Sequence, residues 1–290
     1  MWIGFTLLAA FMQAWRNAFQ SRLSGEVNVA GVTLARFLWA SPIAAAYLTA
    51  LYLWSDPGLP AITPPFIGFV VGAALMQILA TGLMVRLFQM KNFAVGAGLA
   101  KSEALLAAIL GLLFFGTTLS PLGWLGIGIG AIAVFLLSSK GGLRQLSLPT
   151  VALGLCCGGA FALTSLWIRE ASLSLTLPFP HRAAWVLLLV ISLQTLLLLL
   201  YLCWRDRPTL HALWQRPKLT GLISLSSCLG SIGWFSAMSL QNVPMVKTLG
   251  QVEVFFTLLI AAYWLRQKVK LQDVLGLILI AIAAIIVMWS

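Results

Sequence analysis

Long apolar segments, each bounded by proline, glycine or charged residues, recur along the whole of this 290-residue chain. A helix that crosses the hydrocarbon core of a bilayer needs about 20 predominantly apolar residues, and these segments have that length. Overall, 61% of the residues are hydrophobic and 9% are charged, whereas about a quarter of the residues are charged in soluble globular proteins. The sequence therefore predicts a polytopic membrane protein and excludes a water-soluble enzyme.

The breaks between the apolar segments predict an all-α membrane protein with ten transmembrane helices. One span and one short connection together need on the order of 29 residues, so ten helices leave almost nothing for an extramembrane domain. The predicted helices cover residues 2–20, 30–54, 66–88, 93–116, 121–138, 149–169, 183–204, 219–241, 245–265 and 271–289.

The second half of the chain repeats features of the first half at a constant offset of 150 residues. Asp56 recurs as Asp206 and Glu103 recurs as Glu253, so two of the three acids in the first half match acids in the second. Each repeat holds five helices, an odd number, so the second copy starts on the opposite side of the membrane. We therefore expect two inverted five-helix repeats, residues 1–140 and residues 141–290. Inverted repeats are typical of secondary transporters, with substrate and ion sites near the bilayer midplane.

The distribution of lysine and arginine predicts the orientation in the membrane, because cytoplasmic loops carry an excess of these residues. The connections after the odd-numbered helices hold twelve of them, and the opposite side holds only Arg169 and Arg182. This count predicts a multi-pass protein of the bacterial inner membrane with both termini outside the cytoplasm. The twelve are Arg22, Arg86, Lys91, Lys140, Arg144, Arg205, Arg207, Arg216, Lys218, Arg266, Lys268 and Lys270.

Two glutamates are the main candidates for function, because an ionisable side chain inside the membrane is costly and usually functional. Glu103 and Glu253 fall near the centres of the predicted helices 93–116 and 245–265. An in-plane two-fold axis keeps midplane residues of the two repeats level, so both carboxylates are expected to share one central cavity. The functional interpretation is a carboxylate that alternately holds a proton and stabilises substrate; the alternative is a structural buried ion pair.

Four basic residues also fall inside predicted spans: Arg16, Arg36, Lys101 and Lys247. Lys101 lies two positions from Glu103 and therefore points to a different face of its helix, so a salt bridge has to form between helices. Lys247 is a candidate partner. We expect both lysines to balance the glutamates or to meet a substrate carboxylate. Arg16 and Arg36 are weaker candidates for substrate contact, since a long side chain on either helix can snorkel to an interface. For Arg36, pairing with a carbonyl or an acid is an alternative of equal weight to substrate contact.

Uncharged polar and aromatic residues complete the predicted site. Gln251 is expected to supply hydrogen bonds. Asn92 and Asn242 stand at the entrances of the predicted helices 93–116 and 245–265. Capping is their expected role, and lining the cavity is the alternative. Trp15 and Trp234 lie deeper than the interfacial tryptophans and form either an aromatic wall for an organic substrate or part of the core.

Several of these segments resemble one family of membrane proteins, the EamA branch of the drug/metabolite transporter superfamily. The similarity lies in residues 9–19 of the first helix, the Arg-Phe pair of residues 34–38, residues 103–126, and residues 250–255. Arg16 stands where that family usually has glycine, and Ala104 and Thr117 replace its usual proline and glutamate. Family members are generally drawn with cytoplasmic termini, whereas the loop count above predicts the opposite and rests on the charges of this sequence.

The resemblance implies export or exchange of small organic metabolites or drugs by alternating access. We expect a secondary transporter, not an enzyme, with protons or a counter-substrate as its energy source and the lipid bilayer as its surroundings. No cofactor, metal or nucleic acid is expected, and either a monomer or a homodimer fits the sequence. The alternatives are a flippase for lipids or lipid-linked substrates and a membrane subunit that does not transport.

Overall fold

The computed structural model describes residues 1–89, 100–138, 148–263 and 271–289, and all regular secondary structure within these ranges is helical. Thirteen α-helices are present in them. In chain order they are α1 (Trp2–Leu23), α2 (Val29–Phe37), α3 (Ala40–Trp54), α4 (Pro64–Phe88), α5 (Glu103–Phe115), α6 (Pro121–Ser138), α7 (Leu148–Ser174), α8 (His181–Arg205), α9 (Arg207–Trp214), α10 (Pro217–Leu240), α11 (Val243–Gly250), α12 (Glu253–Tyr263) and α13 (Leu271–Met288).

Six helical segments among the described residues are long and apolar enough to cross a membrane. They are Val29–Trp54, Pro64–Phe88, Leu148–Ser174, His181–Arg205, Pro217–Leu240 and Val243–Ile260. Three shorter apolar helices, Glu103–Phe115, Pro121–Ala133 and Leu275–Met288, accompany them. The prediction of an all-helical, multi-pass membrane protein is therefore confirmed.

The segment predicted as one helix over residues 30–54 is broken in the structure. α2 ends at Phe37 and α3 begins at Ala40. A side chain of α10 fills the break, since the Ser224 hydroxyl donates to the Ala35 carbonyl at 2.7 Å and accepts from the Trp39 amide at 3.1 Å. A polar side chain inserted into the backbone hydrogen-bond ladder is a common cause of such breaks, and it comes from a distant part of the sequence.

The two segments that carry the central glutamates are broken as well, so the prediction that these residues lie at the centres of continuous helices is wrong. Glu103 is the first residue of α5, and Glu253 is the first residue of α12. Between α11 and α12 the backbone N–H of Gln251 donates to the Thr248 carbonyl at 3.1 Å. This bond joins residues three apart and tightens the turn. Apolar residues flank both breaks, so hydropathy does not reveal them. A carboxylate in the first turn of a helix is favourable, because it faces the positive end of the helix dipole.

The three helix pairs that pack most extensively each join opposite halves of the chain. α1 packs along α10, α4 packs along α7, and α6 packs along α13. Glycine permits the closest approaches: a Cβ at Gly233 in α10 would lie 2.6 Å from the Phe5 carbonyl oxygen, and a Cβ at Gly126 in α6 would lie 2.7 Å from Val287. Small residues that let helix backbones approach are typical of helix packing in membranes.

A short helix that the sequence did not predict, α9, follows α8. Asp206 accepts hydrogen bonds from the backbone amide and the hydroxyl of Thr209, at 3.3 and 2.7 Å. Asn28, which caps α2, donates to the Asp206 carboxylate at 2.6 Å. The two loops are thereby tied together at one end of the bundle.

Candidate functional site

A cavity lies inside the bundle, between α1, α2, α4, α7, α10, α11 and the start of α5. A second cavity shares five of its lining residues, Gln13, Lys101, Glu103, Trp234 and Lys247, and extends to Gln251 and Glu253. Both glutamates singled out in the sequence therefore line the second cavity, and we call the two neighbouring cavities together the central cavity.

Glu253 lies in the wall of the second cavity, with a side chain that is 3% exposed. Its carboxylate accepts hydrogen bonds from the Lys101 ammonium and from the Gln13 side-chain amide. The Asn17 amide also donates to it, at 2.8 Å. Gln13 and Asn17 stand one turn apart on the same face of α1, so one helix from the first half holds the carboxylate of the second half.

Glu103 has the corresponding environment, with partners from the second half of the chain. The Lys247 ammonium pairs with its carboxylate at 2.7 Å, and the Ser165 hydroxyl of α7 donates to it at 3.1 Å. The Glu103 side chain is 16% exposed and that of Lys247 is 10% exposed. The ion pairs are therefore crossed: each glutamate is neutralised by a lysine that belongs to the other half of the sequence.

One aromatic residue links the two ion pairs. The Lys247 ammonium lies 4.1 Å from the ring centroid of Trp234, a cation–π contact. The Trp234 indole N–H donates to the side-chain oxygen of Gln13 at 2.9 Å, and the amide of Gln13 donates to Glu253. A side chain at position 250 would collide with the Trp234 ring, so the ring can occupy this position only because residue 250 is glycine. A continuous series of side-chain contacts therefore runs from Glu103 through Lys247, Trp234 and Gln13 to Glu253.

Arg16 and Arg36 also line the central cavity, and both are buried. Arg16 donates to the Asn17 side-chain oxygen from Nε at 3.3 Å and from Nη2 at 3.0 Å. Arg36 stands in the last turn of α2, where a cation complements the helix dipole. It donates to the Thr81 hydroxyl at 2.6 Å and to the Ser227 hydroxyl at 3.2 Å. Both guanidinium groups are buried inside the bundle, so these side chains do not snorkel to a membrane interface in this structure.

Gln251 stands beside Glu253 in the break between α11 and α12 and is 3% exposed. Neither polar atom of its side chain has a hydrogen-bond partner among the described residues. Its side chain extends towards α6, where a Cβ at Gly130 would lie 2.5 Å from the Gln251 oxygen. Both polar atoms of the Gln251 side chain are therefore buried against α6, in the wall of the second cavity.

Two of the residues proposed from the sequence, Trp15 and Asn242, stand apart from this cluster. Trp15 stacks on Phe19 with ring centroids 5.6 Å apart and is not among the residues that line the two cavities. Asn242 precedes α11, but its side chain makes no capping hydrogen bond, so the capping role expected for it is wrong. Its backbone amide instead donates to the Gln241 side chain. Asn92 lies outside the described residues.

Sequence reasoning missed three polar residues that contact the glutamates: Gln13, Asn17 and Ser165. For Gln13 and Asn17 a signal was present, since two amide side chains four residues apart occupy one face of a helix. Nothing in the sequence around Ser165 distinguishes it from other serines in apolar helices. Among the described residues no group of three or more His, Cys, Asp and Glu side chains is arranged to hold a metal ion.

The arrangement is two charge pairs around one interior space. Two carboxylates and two ammonium groups compensate each other there, and all four line the central cavity. Because charges in a low-dielectric interior are costly without a partner, loss of one member of a pair leaves the other uncompensated.

Comparisons with known proteins agree with the architecture. A family model described as the EamA-like transporter family matches residues 145–289. No curated protein matches the chain in sequence. Among solved structures, 28 chains match; one of them, described as "Crystal structure of protein", has a TM-score of 0.70 and 15% sequence identity, and the match covers 98% of each chain. At that identity the likeness shows the fold alone.

Proposed function

This chain belongs to the EamA-like transporter family, whose members are membrane transporters of the drug/metabolite type and not enzymes, and on that basis we propose a proton-coupled secondary transporter of small organic metabolites or drugs. It works by alternating access, as an exporter or an exchanger. The observation that carries the proposal is the crossed pairing of Lys101 with Glu253 and of Lys247 with Glu103 around the central cavity.

The crossed pairing couples protonation to the relative position of the two halves. When Glu253 takes up a proton, Lys101 loses its anionic partner and the contact between the halves weakens. A conformation in which the ammonium meets water or substrate then becomes relatively more favourable. A ligand shifts the equilibrium between two conformations only by its difference in affinity for them. A proton on Glu253 favours the conformation without the ion pair over the conformation with it, and therefore acts as such a ligand.

We further propose that the two halves, residues 1–140 and 141–290, are inverted five-helix repeats with ten spans in total. Two observations support this. At an offset of 150 residues α1 corresponds to α7 and α4 corresponds to α10, and the two packed pairs, α1 with α10 and α4 with α7, exchange under that correspondence. The helix breaks before Glu103 and Glu253 correspond in the same way.

The open central cavity favours transport over the role of a subunit that does not transport, since such a subunit has no need of an internal space lined by charges. The cavity is lined by polar groups on several sides, including Gln77, Thr164 and Ser231, which suits a small solute in water. The proposed location is the bacterial inner membrane, with both termini outside the cytoplasm, as the charges of the loops predict.

The test is proton movement driven by substrate. Purified protein is reconstituted into liposomes that contain a pH-sensitive dye, and members of a metabolite panel are added outside at equal starting pH. We expect the internal pH to change with a subset of the panel and not in liposomes without protein. Uptake of a labelled panel member with no accompanying proton movement would contradict proton coupling and leave exchange as the mode of transport.

A further inference from the structure

The central cavity holds more positive than negative charge. Of the ionisable side chains that the structure describes, six line it: four basic residues and two acids. The excess is two positive charges in the low-dielectric interior of a helix bundle. These residues are Arg16, Arg36, Lys101, Lys247, Glu103 and Glu253.

The two arginines carry this excess, because the ion pairs already match each lysine with a glutamate. Arg16 is 4% exposed and Arg36 is 3% exposed. In the described part of the chain, the hydrogen-bond partners of both guanidinium groups are neutral: the Asn17 amide oxygen for Arg16, and two hydroxyl groups for Arg36.

Such an arrangement favours an anion in the cavity. A guanidinium group has five N–H donors in a fixed fork, and each arginine uses only its Nε and one terminal nitrogen in the bonds above, which fix the side chain in place. A buried charge without a partner costs several kcal/mol, and a carboxylate or phosphoryl group offers the geometry that the guanidinium fork binds best.

The remaining wall of the cavity indicates an organic body attached to that anionic group. Phe161, Trp234 and Phe235 present aromatic rings to the space, beside Met84 and Met238. Aromatic and apolar lining with a few polar groups is typical of small-molecule sites.

We infer that the central cavity binds a small organic anion, with its carboxylate or phosphoryl group held by Arg16 and Arg36 and its apolar part against Trp234 and its aromatic neighbours. This inference rests on the proposed transport function and adds the substrate class to it. A cationic or neutral substrate would leave the two excess charges uncompensated.

Binding to the purified full-length protein in detergent tests the inference without any gradient. The probes share a benzene ring: benzoate is compared with the uncharged benzamide and the cationic benzylamine, and phenyl phosphate is compared with the uncharged benzyl alcohol. We expect at least one anion to raise the melting temperature and to bind at least tenfold more tightly than its uncharged match. Whether benzoate or phenyl phosphate binds more tightly distinguishes a carboxylate from a phosphoryl substrate. Equal binding of the uncharged probes, or equal stabilisation by chloride at the same concentration, would overturn the inference.

Substitutions of the two arginines test whether the anion binds at these residues. Arg16→Gln and Arg36→Gln should each weaken binding of the anion at least tenfold, whereas Arg36→Lys, which keeps the charge, should retain part of it. Arg182→Gln is the matched control, since Arg182 bonds Ser239 outside the cavity. Folded Gln variants that bind the anion as tightly as the control would overturn the assignment to these residues.

Flux measurements separate this inference from the proposed function. If reconstituted protein transports benzylamine or benzamide but neither anion, the inference fails and the transporter proposal stands. If the anions bind with the predicted dependence on the arginines and yet no probe crosses the membrane, the binding inference stands and the transport proposal fails.

Discussion

The ammonium group of Lys101 donates a hydrogen bond to the carboxylate of Glu253, which lies 152 residues farther along the chain. Lys101 is only two residues from Glu103, yet the partner of Glu103 is Lys247. Lys101 and Glu103, two positions apart in the sequence, therefore both form their ion pairs with the opposite half of the protein. In the alternating-access transporter proposed above, such a contact would join the two halves that move relative to each other.

The pairing of Lys101 with Glu253 predicts a measurable coupling energy. Lys101→Met and Glu253→Gln should each destabilise the protein, because each leaves a charge without its partner. The double variant should be more stable than the sum of the two effects by about 0.5–3 kcal/mol. Unfolding of the four proteins in detergent measures this. The matched control is the exposed pair Arg216 and Glu26, for which the coupling should stay below about 1 kcal/mol. Additive effects at Lys101 and Glu253 would show that the pair does not form.

Close packing of α1 against α10 predicts that one glycine cannot be replaced. Gly233→Ala places a methyl group 2.6 Å from the Phe5 carbonyl oxygen and 2.9 Å from the Ala9 side chain, so the helices have to separate, at a cost of about 1–3 kcal/mol. Gly221→Ala on the same helix meets no atom within 4 Å and should leave the melting temperature unchanged or slightly higher. Equal melting temperatures for the two variants would contradict the packing described.

The loop contact at Asp206 predicts a dependence of stability on pH. The hydrogen bond from the Thr209 side chain, with others from Asn28 and the Thr209 backbone, holds the pKa of Asp206 below its ordinary value of 3.8. A carboxyl group whose pKa is lower in the folded state contributes stability above the unfolded pKa and loses it as pH falls through the folded pKa. Wild type should therefore melt above Asp206→Asn at neutral pH, and the difference should shrink as pH falls below 3.8. A difference that is constant with pH would show that the charge on Asp206 does not contribute.

The charges of the loops predict that both termini lie outside the cytoplasm. Alkaline phosphatase fused after Ser290 should be active in intact bacterial cells, because it folds in the periplasm, and green fluorescent protein at the same site should be dark. The reverse pattern would place the termini in the cytoplasm and would show that Lys and Arg in these loops do not set the orientation.

Much of the architecture follows from the sequence because hydropathy and charge act locally. α6 begins at Pro121 and α10 begins at Pro217. Proline is favoured in the first turn of a helix, so both starting points are visible in the sequence. The 150-residue offset likewise directed attention to Glu103 and Glu253, since acids are rare in apolar segments and their recurrence is visible without a structure.

The breaks and the crossed pairing were beyond sequence reasoning because they depend on contacts between distant residues. Ser224 interrupts the helix around Phe37 from a position almost 190 residues away. The face on which Lys101 lies indicates that its partner is on another helix, but which helix depends on how the two halves pack. Gln13 and Ser165 become site residues only once α1 and α7 are placed beside the opposite glutamates.

Proton-driven flux in the Glu253→Gln variant tests the central claim most directly. With a substrate established for the wild type, uptake is measured in liposomes with and without an imposed pH gradient at zero membrane potential, beside the control Glu26→Gln at the protein surface. Uptake by wild type and control should accelerate with the gradient, whereas Glu253→Gln should remain folded and show no acceleration. An equal acceleration in Glu253→Gln would contradict the claim that this carboxylate couples protons to transport.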